Sequence, residues 1–180
     1  AAWIFSREHW IRSNLPWLSF SKLRISYGIT GNDQIPDYGY LSLYGSTQYP
    51  YVGVSGLRPV NLFNPDYSWE INKKFEAAIE LGFIKDRILF TTAYYENRSS
   101  SQLVGYTLPS VTGFTSVQAN LPATVQNTSI EISPSALALK SKQFEWNTEL
   151  TLSVPHNKLI AFPNLAKNSG YSYIFTIGQP

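Results

Sequence analysis

Cysteine is absent from all 180 residues, which excludes disulfide frameworks, thiolate metal sites and a cysteine nucleophile. Methionine is absent too and no initiator opens the chain, which therefore reads as an internal piece of something longer. Charge is scarce: Asp, Glu, Lys and Arg make up 14% of the residues, against about 25% in a typical soluble domain. Fourteen Lys and Arg against twelve Asp and Glu leave a formal charge of +2, too small and too evenly spread for a nucleic-acid footprint. No run approaches the ~20 apolar residues of a membrane-spanning helix. The start, Ala1 to Trp10, has no basic stretch followed by an apolar run, so no signal peptide is expected within these residues. A membrane β-barrel stays open, because its ~10-residue strands alternate apolar and polar and leave a weak hydropathy signal.

What is present is aromatic and periodic. Phe, Trp and Tyr reach 15%. From Lys22 to Thr30 the residues alternate without a miss: Leu23, Ile25, Tyr27 and Ile29 share one face, Lys22, Arg24, Ser26, Gly28 and Thr30 the other. Period two means a strand with one apolar and one wet face. Trp69–Phe83 repeats the pattern, setting Ile71, Phe75, Ala77, Ile79, Leu81 and Phe83 against Glu70, Asn72, Lys74, Glu76 and Glu80. Lys73 is its one exception, placed where a long stem can snorkel. Phe144–Val154 alternates cleanly again, with Phe144 and Trp146 at its start. Arg87–Arg98 is rich in β-formers, and Thr124–Leu139 changes phase after Pro134, as a bulge produces. Weak strands are expected at Ala2–Ser6 and Tyr171–Ile177, and at most a turn of helix around Glu8-His9-Trp10.

Short connections, at Ile84-Lys85-Asp86 and Lys140-Ser141-Lys142, alternate with long ones at Gly31–Ser68, Ser99–Ala123 and Pro155–Gly170, with a medium one at Arg7–Ser19. In an up-and-down meander this puts short turns on one rim and long loops on the other, the asymmetry of outer-membrane barrels. In lipid every backbone polar group must be paired, so strands survive only in a closed barrel. The apolar face then meets acyl chains, and Lys22, Arg24, Lys74, Glu70, Glu76 and Glu80 meet water inside. Trp69, Trp146, Tyr94, Tyr95 and Phe144 fall near strand ends, where aromatic girdles sit. The expected fold is all-β: an antiparallel, up-and-down transmembrane β-barrel segment, about seven strands of a larger barrel of about 22. A half-exposed soluble β-sandwich that binds carbohydrate through the tyrosine-rich loop shares the alternation and is the rival reading.

The residues Leu18-Ser-Phe-Ser-Lys-Leu-Arg-Ile-Ser-Tyr-Gly-Ile-Thr-Gly-Asn32 resemble the LxFxKLRxSYGxTGN segment of SusC/RagA-like TonB-dependent outer-membrane transporters. Later signatures follow in the family's order: Trp69-Glu70, Asp86-Arg87, Tyr94-Tyr95, Pro109 with Gly113-Phe114, Phe144-Glu-Trp146 and Gly178-Gln179-Pro180. One departure stands out, because Asn120, Asn127 and Glu131 persist where the family reads NxGxxxNxGxE, but both glycines are lost. The resemblance implies that residues 1–180 form part of the barrel's C-terminal third, without the plug domain. It implies a bacterial outer-membrane importer of oligosaccharides, or alternatively of peptides, with a SusD-like lipoprotein as lid. Its other partners would be the rest of the barrel and its plug, TonB acting through that plug, and membrane lipid, with no nucleic acid.

No catalytic, cofactor or metal residue is expected. His9 and His156 have no metal-ligand spacing around them, and neither a Walker loop nor an H-E-x-x-H motif occurs. Gly53-Val-Ser55-Gly56 lacks the last glycine of a nucleophile elbow. Glu76 and Glu80 share one strand face, as paired glycosidase carboxylates share one cleft, and a secreted hydrolase using Glu70, Glu76 or Glu80 is a further rival, but neighbouring Lys74 favours a wet lumen wall. Asn97-Arg-Ser99 matches a glycosylation sequon that has no meaning in a bacterial outer membrane. The candidate contact residues are Tyr38, Tyr40, Tyr44, Tyr49 and Tyr51, whose flat faces and hydroxyls suit sugar rings, peptides or a protein lid.

Overall fold

The alternating segments pair side by side into one antiparallel sheet. The computed structural model describes residues 1–33, 35, 37–167 and 170–180. In chain order the elements are β1 (Ala2–Trp3), a 3-10 turn at Phe5–Arg7, α1 (His9–Asn14), β2 (Leu18–Asn32), β3 (Leu43–Ser46) and β4 (Leu57–Asn61). Then come β5 (Glu70–Phe83), β6 (Ile88–Thr107), β7 (Ser116–Lys140), β8 (Glu145–Glu149) and β9 (Leu152–Ala161). The sheet runs β1-β2-β5-β6-β7, with β8 and β9 both on the far edge of β7, while β3 and β4 form a separate hairpin inside the long connection.

Register turns the one-dimensional alternation into rows. Leu23 faces Ile79, Ile79 faces Thr92, Thr92 faces Ile132 and Ile132 faces Leu152. The next row holds Ile25, Ala77, Tyr94, Ile130 and Val154. Directly opposed side chains share a face, so these rows form a continuous apolar surface. It runs along β5 from Phe75 to Phe83 for about 26 Å, near the 9–11 residues with which a tilted strand crosses a bilayer. Aromatics mark its margins: Phe75 lies 6.4 Å from Tyr94 at the upper one, and Trp17 stacks on Phe83 at 5.7 Å at the lower. Tyr95, expected in a girdle, points to the other face, because it neighbours Tyr94 on one strand and opposes Glu76.

No second layer covers the apolar rows among the described residues, which removes the β-sandwich. Ile25, Ile130 and Val154 remain 44%, 50% and 57% exposed. The accessible surface is 13191 Å², against about 8,800 Å² for a globular monomer of this mass. Among the described residues no helix is long and apolar enough to cross a membrane.

The connections differ from expectation in an instructive way. Ser99–Ala123, read as a loop, is the upper half of the β6–β7 hairpin, paired from Gln102↔Leu121 to Thr107↔Ser116. The pattern was hidden by polar residues on both faces and by a register shift at Ser101, which sits at φ 56. Phe144–Val154 is two strands, β8 and β9, in one shared register: Ser135↔Glu149 and Ile132↔Leu152 belong to the same ladder. The interruption faces Pro134. Leu150 N–H donates to Pro134 O at 3.1 Å, but proline has no N–H to return. The bulge expected after Pro134 comes slightly later, between Leu137 and Leu139. Residues 155–161, also read as loop, extend β9, and Tyr171–Ile177 forms turns rather than a strand. The weak strand at Ala2–Ser6 shrinks to Ala2–Trp3, and the single helical turn grows to α1.

The tight turn after β5 places Ile84, Lys85 and Asp86 at φ 55, 56 and 60. Ser19 holds it: its Oγ donates to Asp86 Oδ1 at 2.7 Å and accepts from Asp86 N–H at 2.9 Å. Left-handed backbone disfavours residues with a Cβ by roughly 1 kcal/mol each. Lys85→Gly is expected to raise stability by about 0.5 kcal/mol in urea unfolding of the detergent-solubilised protein, after glycine's larger unfolded-state entropy is subtracted.

Candidate functional site

The polar chemistry lies on the face opposite the apolar rows and on the long rim above it. Near mid-strand the polar face is charged. Arg24 Nε lies 2.8 Å from Glu80 Oε1, Arg24 Nη1 3.6 Å from Glu76 Oε1 and Lys22 Nζ 3.6 Å from Glu80 Oε1. The Arg24 N–H is not aimed along the shortest of these lines, so the contact is a charge pair rather than a hydrogen bond. The four side chains are partly exposed, and such pairs contribute at most about 1 kcal/mol each. Arg24 occupies the gap between the two carboxylates, the space a sugar would need for glycoside hydrolysis. Glu70 is engaged elsewhere, accepting from Asn72 Nδ2 at 3.3 Å.

Toward the long rim this face changes from charge to amide. Lys74, Asn97, Asn127 and Asn157 stand directly opposite one another across β5, β6, β7 and β9. Asn157 Nδ2 donates to Asn127 Oδ1 at 2.7 Å. One row higher, Ser99 Oγ donates to Asn72 Oδ1. Such a row presents donors and acceptors without net charge beyond Lys74, and it suits hydroxyl or peptide groups. Above it, the chain after β9 folds back over the wall: Ala123, Leu159 and Phe162 are buried together, with Leu121, Val125, Leu165 and Tyr171 packed around them. Tyr171 meets Tyr106 edge-on at 6.0 Å. Burial, and secondarily Tyr171, hold the Tyr106 hydroxyl above the ordinary tyrosine range. A notch of about 250 Å³ opens beside this cluster, bordered by Gln102, Asn157 and Phe175. It falls below the ~300–1,000 Å³ of a usual small-molecule site.

The five candidate tyrosines all lie on the long rim and are exposed, Tyr49 and Tyr51 at 82% and 86%. Tyr38 and Tyr40 belong to the turn before β3, Tyr44 lies in β3, and Tyr49 and Tyr51 lie toward the tip of the hairpin. That tip closes through Tyr51 and Val54, with Val52 and Gly53 at φ 50 and 76. The tyrosines therefore share a rim but form no stacked cluster of their own among the described ring contacts.

The loop that carries them is braced within itself and laced to the wall. Asn61 Nδ2 donates to the carbonyls of Gly39 and Leu41 at 3.0 and 2.8 Å. Asn64 Nδ2 reaches Gln118 O at 3.1 Å. Asn120 does most: its Oδ1 accepts from Ser68 N–H at 2.9 Å, and its Nδ2 donates to Ser68 O at 2.8 Å and Ser101 O at 2.7 Å. This bridging role was not readable from the motif that drew attention to Asn120. Nor were the amide row and the Phe162–Tyr171 packing, although Tyr171, Tyr173 and Phe175 already crowd together in the sequence. His9 and His156 lie in α1 and β9, and among the described residues no three His, Cys, Asp or Glu gather as a metal group.

No family model matches the chain. Over 169 residues, 94% of its length, it is 31% identical to a TonB-dependent receptor of Formosa agariphila, and over 164 residues 28% identical to the TonB-dependent receptor SusC of Bacteroides thetaiotaomicron. In both cases it spans 16% of the relative. Its fold matches the RagAB peptide transporter with a TM-score of 0.74 at 24% identity, covering 90% of this chain and 18% of that one. The open-open state of the RagAB peptide importer matches with a TM-score of 0.76 over 99% of this chain and 20% of that one. Over nearly its whole length the chain is therefore similar in sequence to SusC-like TonB-dependent receptors, about a sixth of whose length it spans, and it has the fold of a stretch of their antiparallel β-barrel.

Proposed function

We propose that this chain forms part of the wall and outer rim of an outer-membrane importer that carries oligosaccharides, with TonB acting through a plug and a SusD-like lipoprotein as lid. The observation that carries the reading is the division of a single-layer sheet into an apolar face about 26 Å long and a face of charges and amides. Polar walls with a neutral amide row favour hydroxyl-rich cargo, which bonds amides without needing charge. The long rim then receives the cargo, and the exposed tyrosines supply flat surfaces for sugar rings or for the lid. Peptide cargo is the second reading, supported by the fold likeness to the RagAB peptide importer.

The test is uptake by cells whose only importer carries Tyr49→Ala and Tyr51→Ala. Each lost stacking contact is worth about 0.5–1.5 kcal/mol. Half-saturation for an oligosaccharide is expected to rise at least about fivefold while the maximal rate holds. A rise confined to peptide uptake would select the second reading, and unchanged uptake of both would remove these tyrosines from the cargo path.

A further inference from the structure

Lys73 broke the apolar alternation of its strand, and the register shows what it belongs to. Lys73 faces Arg98, Arg98 faces Gln126 and Gln126 faces Lys158, so three cations and an amide form one row across β5, β6, β7 and β9. This row is on the apolar face, not the polar one. Directly below it lie Tyr27, Phe75, Glu96, Thr128 and His156, and below those the apolar rows begin with Ile25, Ala77, Tyr94, Ile130 and Val154. From Tyr94 to Arg98 is about 13 Å along the strand, or roughly 9 Å of depth at a 45° tilt. That carries the cations out of the hydrocarbon and into the polar zone of the bilayer, beside the long rim.

Their charge is only partly answered by protein. Arg98 Nε lies 2.8 Å from Glu96 Oε1 and donates to Gln126 Oε1 at 3.1 Å. Both of those contacts run through Nε. Among the described residues neither Lys73 nor Lys158 has an acidic partner within ion-pair distance. Adjacent strands are about 4.8 Å apart, so the row spreads its cations over roughly 14 Å. A row with two lysines that have no carboxylate partner, above an aromatic margin and an apolar band, complements an anion attached to acyl chains.

We infer that the row Lys73–Arg98–Gln126–Lys158 binds the phosphate-bearing headgroup of a membrane lipid in the leaflet beside the long rim, and so sets the depth of the barrel. The inference rests on the membrane reading above. Because it concerns the outside of the wall, it is separate from cargo.

The experiment titrates the delipidated full-length receptor in detergent with dioleoyl phosphatidate, with dioleoylglycerol, which has the same chains without phosphate, and with inorganic phosphate, counting bound lipid by native mass spectrometry. Phosphatidate should bind at least tenfold more tightly than dioleoylglycerol, and inorganic phosphate should not compete at millimolar concentration. Lys73→Gln and Lys158→Gln should each weaken phosphatidate binding about fivefold, and together roughly thirtyfold. Lys74→Gln removes the same charge one residue away on the opposite face and should leave the preference intact. Equal binding of the two lipids, competition by free phosphate, or an equal loss in Lys74→Gln would overturn the inference and leave the membrane reading standing. Binding of neither lipid would overturn both.

Discussion

Ile79→Arg should destabilise the membrane-assembled barrel by about 2–4 kcal/mol, the penalty for a cation on the lipid face well inside the bilayer. Ile79 sits in a row with Leu23, Thr92, Ile132 and Leu152, near the middle of the apolar band. The matched control is Thr91→Arg. Thr91 opposes Glu80 on the polar face at nearly the same height, where a new guanidinium meets water and a carboxylate, and should change stability by less than about 1 kcal/mol. Unfolding in lipid vesicles and the amount of assembled protein in the outer membrane both report the difference. Comparable losses in the two variants would mean that both faces meet the same medium, and the assignment of the apolar face to lipid would fail.

The second large effect is local. Asn120→Ala deletes three hydrogen bonds that tie the tyrosine loop and the kink at Ser101 to β7. At about 1 kcal/mol each the loss is roughly 2–3 kcal/mol, concentrated where the loop joins the wall. Hydrogen exchange at the Ser68 amide, whose proton Asn120 Oδ1 accepts, should accelerate roughly thirtyfold or more. Asn120→Asp separates the two halves of the arrangement. It keeps the acceptor for Ser68 N–H but sets a carboxylate against the carbonyls of Ser68 and Ser101, so it should loosen the loop at least as much as alanine does. Normal protection at Ser68 in Asn120→Ala would show that the loop is held by other contacts.

What could be read from the chain alone follows the solvent. Leu23 to Ile29 and Phe75 to Phe83 alternate because one side of each strand meets an apolar medium and the other water, and that contrast writes itself into the residues. Ser99 to Gln102 are polar on both sides of the strand, so the residues there leave no period to find. Rows are a different matter. Lys73 looked like an error and Asn97, Asn127 and Asn157 like unrelated polar residues, because only inter-strand register, a long-range property, aligns them. The pause between β8 and β9 was signalled by Pro134, but its effect falls on a neighbour 16 positions away at Leu150.

The β6–β7 hairpin continues past Arg98 to Thr107, about 30 Å of further paired ribbon. A floppy tether of that length would forfeit roughly 1–2 kcal/mol of entropy for every residue pinned on contact. A braced mast that already stands upright gives up far less on capture. Anything that binds this ribbon meets scaffolding instead of seaweed, and the strength of its grip is set by the surface it touches rather than by the work of freezing it.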